Sequence, residues 1–135
     1  MLKRILSVIV GAVVAMFIIG GLEQVLPLIY PGLPSHVDIN DKKAMAEMMA
    51  SMPAGAFAWL LMTYVLGSFC GGFVAGLIAA KKRKEMALAI GAIVLVGAIV
   101  NFAMISHPAW FVATALILYI PSAYLGGVTV NRFAK

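Results

Sequence analysis

From Met86 to Asn131 the chain runs for 46 residues without a charged side chain. A membrane-spanning helix needs only ~20 apolar residues, because a hydrocarbon core ~30 Å thick is crossed at ~1.5 Å per residue. One span cannot use the whole stretch. Its only breaker cluster is Ser106-His107-Pro108, and a break there leaves two helices of ordinary length. Ile5 to Leu22 is also uncharged, and the apolar pattern continues past Glu23 to Ile29 before Pro31 and Pro34 stop it. Met48 to Ala80 forms a third uncharged stretch, with Pro53 as a natural helix start and Lys81-Lys82-Arg83-Lys84-Glu85 as its end. The pattern predicts four spans, at about 5–29, 57–80, 86–106 and 109–131, in a single membrane domain.

Composition supports this. Apolar types (AVILMFWYC) make up 64% of the chain and charged types 11%. A soluble domain carries ~45–50% on a similar count. A soluble fold of 135 residues leaves too much of its chain exposed to hide the excess, so the excess faces lipid. The expected fold class is all-α, a polytopic four-helix bundle. A single cysteine, Cys70, excludes an internal disulfide, a CxxC pair and a cysteine zinc site. No Gly-rich loop precedes a Lys-Ser/Thr pair, which argues against a P-loop. Lys and Arg outnumber Asp and Glu by ten to five, yet the basic residues flank the apolar runs. There they serve as topology signals and headgroup anchors rather than a nucleic-acid surface.

Their distribution orients the chain. Lys3, Arg4, Lys81, Lys82, Arg83, Lys84, Arg132 and Lys135 fall on one side, against Lys42 and Lys43 on the other. The positive-inside rule puts both termini in the cytoplasm and 30–53 outside, in a bacterial-type inner membrane. The first apolar run is longer than the ~7–15 residues of a signal-peptide core, and an uncleaved first helix is expected. In the outer connection, Pro31, Gly32 and Pro34 are irregular, and Asp38, Asn40 and Asp41 are capping residues for Lys42–Met52. Met45, Met48, Met49 and Met52 share one face of that segment, which reads as a short amphipathic helix on the outer surface. Tyr30, Trp59 and Trp110 fall at the same interface.

Two rows of small residues run along the second span. One is Gly67, Gly71, Ala75 and Ala79; the other is Ser68, Gly72, Gly76 and Ala80. Such rows let another backbone approach closely, either inside one bundle or across a homodimer seam. Gly11, Ala12, Ala15, Gly91 and Ala98 are available partners.

Glu23 is the only acid inside a predicted span, and ionisable groups at membrane depth are costly. Asn101, Thr63 and Thr114 fall at similar depth on the other three spans. The four are expected to form a polar layer, with Asn101 donating to Glu23. That layer serves as structural glue or as a substrate or ion site. His36, His107 and Met104 group on the outer side, and thioether with imidazole suits copper. No HxxM or Met-x-Met clustering accompanies them, so no metal or other cofactor is expected. Neither histidine lies mid-span, where haem would need it. Pro121, in the middle of the last span, removes one helical hydrogen bond.

In size, helix number and an acid in the first helix the chain resembles small multidrug-resistance proteins. It departs from them in the late position of Glu23, the long outer connection and the one-sided charge. The glycine-arginine signature of small fluoride channels is missing. The chain is more similar to uncharacterised small four-helix bacterial inner-membrane proteins, through the Pro-rich outer segment, the Gly67–Gly76 region and His107-Pro108-Ala109-Trp110-Phe111. That likeness implies a fold but transfers no functional residue.

The sequence therefore leads to a non-enzymatic structural or accessory protein, embedded in the lipid bilayer, that associates with itself or another membrane protein through small-residue faces. The alternatives are a small transporter or channel that uses Glu23 and Asn101, and an outer-face metal binder. Reporter fusions at Lys135 and within Asp38–Glu47 are expected to report opposite compartments; the same compartment for both would refute the topology.

Overall fold

The computed structural model describes residues 2–30, 40–104 and 108–133, which form five helices. They are α1 (Leu2–Ile29), α2 (Lys42–Ser51), α3 (Ala54–Ala79), α4 (Arg83–Met104) and α5 (Ala109–Phe133). All but α2 are long and apolar enough to cross a membrane, and no strand occurs among the described residues. Helices suit hydrocarbon because each satisfies its own backbone N–H and C=O groups. Phe17, Leu28, Val96 and Ile117 are each more than half exposed. On a soluble protein such a surface would be costly; against acyl chains it is not.

The helix ends follow local chemistry. The Asp41 carboxylate accepts the Ala44 N–H at 3.1 Å, capping α2. Pro53 is extended (φ −70°, ψ 158°), and its carbonyl accepts the Ala56 N–H at 3.0 Å to start α3. The Lys82 carbonyl accepts the Met86 N–H at 3.1 Å, so α4 begins inside the basic run, three residues before the uncharged stretch. Arg, Lys and Glu are good helix formers, so the helix extends beyond its apolar part. Ala80 and Lys82 take positive φ (58° and 56°) to reverse the chain within three residues. Pro27 lies inside α1 and Pro121 inside α5. Of the methionine face, Met48 is half-buried, whereas Met52, just past α2, is buried against Leu26, Phe57 and Leu60. The side chains of Met45 and Met49 lie outside the described set.

α3 packs against α1, α4 and α5, and α4 packs against the same two neighbours of α3. α1 and α5 do not meet among the described residues. In cross-section the bundle is a rhombus with α3 and α4 on its short diagonal.

The small-residue rows of α3 are taken up inside this bundle. Gly67 and Gly71 face α1. A Cβ on Gly71 would stand 2.8 Å from the Gly11 carbonyl, and one on Gly67 would stand 2.5 Å from Ile19. Gly72 and Gly76 face α5, which runs parallel to α3. A Cβ on Gly72 would strike the Ala123 carbonyl, and the reciprocal Cβ on Gly126 would strike the Phe69 carbonyl. With no side chain between them the two backbones touch, and dispersion rather than hydrophobicity holds them. At Gly76 the approach is looser, 3.2 Å from a Val130 methyl.

At the Pro53 end the bundle is filled by aromatics. Phe57 stacks on Phe111 with ring centroids 5.3 Å apart, Phe111 on Tyr64 at 6.3 Å, and Tyr64 on Tyr119 at 5.7 Å. At the other end, the Arg83 guanidinium donates to the Asn131 side-chain oxygen at 3.1 Å and ties α4 to α5.

Gly72→Leu is expected to destabilise the bundle by about 1–3 kcal/mol or more, since the Ala123 backbone must move to admit it. Gly76→Leu should cost less, and Leu66→Ala, at a 40% exposed position, under about 0.5 kcal/mol. Melting in mild detergent measures the order; equal melting points would remove the proposed seam.

Candidate functional site

Glu23 lies six residues before the end of α1, and its carboxylate meets a partner that the sequence did not single out. The Tyr64 hydroxyl of α3 stands beside it and offers it a donor. Tyr119 of α5 packs on Tyr64 and lies within electrostatic range of the same carboxylate. Asn101 of α4 completes the set. All four line one cavity of about 250 Å³. Each spanning helix thus contributes one polar group: a carboxylate, two phenols and a carboxamide. The rest of the wall is apolar or small, with Met16, Ile19, Ile93 and Val94 as its larger members, and no Lys or Arg lines it.

Two further features bear on Glu23. Pro27 has no N–H, so the helical hydrogen bond to the Glu23 carbonyl is missing. Residue 23 therefore offers a carbonyl outside the ladder as well as a carboxylate. Next to it, the Trp59 indole N–H donates to the Leu22 carbonyl at 3.0 Å and fixes α3 against α1 at this level. Trp59 is half-buried, so it acts as a clamp between α1 and α3.

The other expected members of the layer are engaged elsewhere. Thr63 is buried and donates to the Trp59 carbonyl at 2.9 Å. Thr114 donates to the Trp110 carbonyl at 2.7 Å. Both hydroxyls bond back to their own helix, and neither residue lines the cavity. The structure brings Glu23 and Asn101 to one cavity and sets the Tyr64 hydroxyl beside the carboxylate. Tyr64 and Tyr119 did carry a signal: a mid-span tyrosine must find its hydroxyl a partner. His36 and His107 lie outside the described residues, as does the Met104 side chain at the end of α4. Among the described residues no group of three or more His, Cys, Asp or Glu could hold a metal ion.

Chemically, the site is a lone carboxylate in an apolar chamber, surrounded by neutral donors and acceptors. Unpaired charge at this depth is costly, and the carboxylate lowers that cost by taking a proton or a cation. The phenols and the amide can hydrogen-bond either state.

Tyr64→Phe is expected to lower stability by about 1–2 kcal/mol, since it leaves the carboxylate without its donor. Thr63→Val, which deletes only a back-bond to the helix, should stay within about 0.5 kcal/mol of wild type. Thermal melting of the purified variants compares them; equal losses would mean that Tyr64 does not support Glu23.

The chain matches no protein-family model, no curated protein and no solved structure.

Proposed function

We propose that the chain is a small, non-enzymatic membrane transporter or channel-like carrier that binds a proton or a cationic ligand at Glu23. The observation that carries this reading is the cavity itself: about 250 Å³, with one carboxylate, one neutral polar group from each other spanning helix and no basic residue. In this reading Tyr64 holds the unoccupied carboxylate in place, and Asn101 and Tyr119 line the chamber. The protein sits in a bacterial-type inner membrane with both termini cytoplasmic, as the basic residues at one end of the bundle favour. α2 then lies on the outer surface. Four helices enclose little room for a private aqueous pore, so a homo-oligomer is the form proposed for transport.

An accessory protein that associates through small-residue faces has less support. The glycine rows on α3 that would mediate such association are filled by α1 and α5 of the same chain.

Proteoliposomes holding a pH-sensitive dye test the proposal. With a proton gradient imposed, wild-type vesicles are expected to dissipate it when an external organic amine or alkali cation is added. Glu23→Gln keeps the shape but cannot exchange a proton, and should lose at least about tenfold in rate, the equivalent of ~1.4 kcal/mol. Glu23→Gln vesicles that match wild type at an unchanged melting point would refute the proposal.

A further inference from the structure

The Glu23 cavity is not walled evenly. Most of its lining comes from α1 and α4, the pair of spanning helices in contact with the thinnest shared seam. That seam is tight at one level and open at another. At Gly11 an added Cβ would stand 2.9 Å from the Ile90 side chain, so the helices are in van der Waals contact there. Two turns further along α4, a Cβ on Gly97 would meet nothing within 4 Å. The two helices run parallel, so they part as they approach the cavity. The rim of this opening is apolar: Met16 on α1 is 70% exposed and Ile93 on α4 is 45% exposed. Both rim residues lie within uncharged runs, far from the basic ends of their helices.

We infer that the cavity opens sideways into the bilayer between α1 and α4, and that it takes a compact amphipathic amine from the lipid phase. This deepens the reading of Glu23 as a cation site and rests on it. An opening at this depth is bathed by acyl chains, so a ligand using it must first partition into lipid. In its wall stands a single carboxylate with no Lys or Arg beside it, which selects a cationic head over an anionic or neutral one. Most of the remaining wall is apolar or small, which selects an apolar body behind that head. The volume falls just below the ~300–1,000 Å³ of most small-molecule sites, which limits that body to a short chain or a single ring. An ammonium head can donate to the Glu23 carboxylate, and Asn101, Tyr64 and Tyr119 line the same chamber with further polar groups.

The test is binding of radiolabelled n-octylamine to the full chain in lipid nanodiscs, with empty nanodiscs subtracted and n-octanol as the neutral competitor. Wild type is expected to bind octylamine saturably, and octanol should not displace it. Glu23→Gln should weaken binding at least about tenfold, ~1.4 kcal/mol. Gly97→Leu projects into open space, so it should keep the melting point yet slow octylamine association about tenfold by narrowing the mouth. Ile93→Phe, at an already exposed position, serves as the second blocking variant should Gly97→Leu melt early. Normal association in the blocking variants, together with loss of binding in Glu23→Gln, would overturn the lateral opening and leave the Glu23 site standing. Displacement by octanol as effective as by octylamine, or wild-type binding by Glu23→Gln, would overturn the amine proposal together with the cation reading beneath it.

Discussion

Contact between bare backbones holds this bundle together. Inside a bilayer, helices gain little from hiding apolar side chains, because lipid tails accept those side chains equally well. What remains is dispersion, which rises steeply as helices approach. α3 achieves that approach on two faces, with Gly71 opposite Gly11 on α1 and Gly72 and Gly126 interleaved across the seam with α5. A third close seam joins α4 to α5, where Gly127 lies against Ala87 and the Arg83 carbonyl and Gly91 against the Ile120 backbone. α4 packs on α3 and reaches α1 on one side and α5 on the other.

The difference between seams explains why a cavity exists at all. Where glycine meets glycine, the bundle is dense; where α1 meets α4 without such pairs, it is not. The space falls at the level of Glu23, and the large rings of Tyr64 and Tyr119 shape one wall of it without filling it. The aromatic column running up to Phe57 closes the bundle above those tyrosines, and Met52 packs into the same cluster. A set of rigid seams beside a thin one is the arrangement expected of a scaffold that carries a site, because the thin seam can open without loosening the rest.

The polar groups divide according to whether their own helix satisfies them. Threonine reaches the carbonyl four residues back, so Thr63 and Thr114 are spent locally despite sitting at a suitable depth. Tyrosine and carboxylate side chains are too long to do so and must look across the bundle. Depth along a span was therefore a fair guide to which residues share a layer. Rotation about the helix axis decided which of them meet, and a one-residue step turns a side chain by ~100°. Thr63 and Tyr64 are adjacent in sequence, and only the second reaches the Glu23 chamber.

By itself the sequence determined the number of long apolar helices, their approximate limits, a capping group among Asp38, Asn40 and Asp41, the start after Pro53 and the presence of a costly acid at Glu23. Each of these depends on hydrophobicity or backbone chemistry within one segment, and such terms are local. Only the tertiary structure decided that the glycine rows of α3 are consumed by α1 and α5, that Tyr64 meets Glu23, and that α1 and α4 part beside Gly97. Those outcomes depend on how four helices rotate and cross. In lipid that choice rests on the fit of small residues against one another, a pairwise property that no single segment carries.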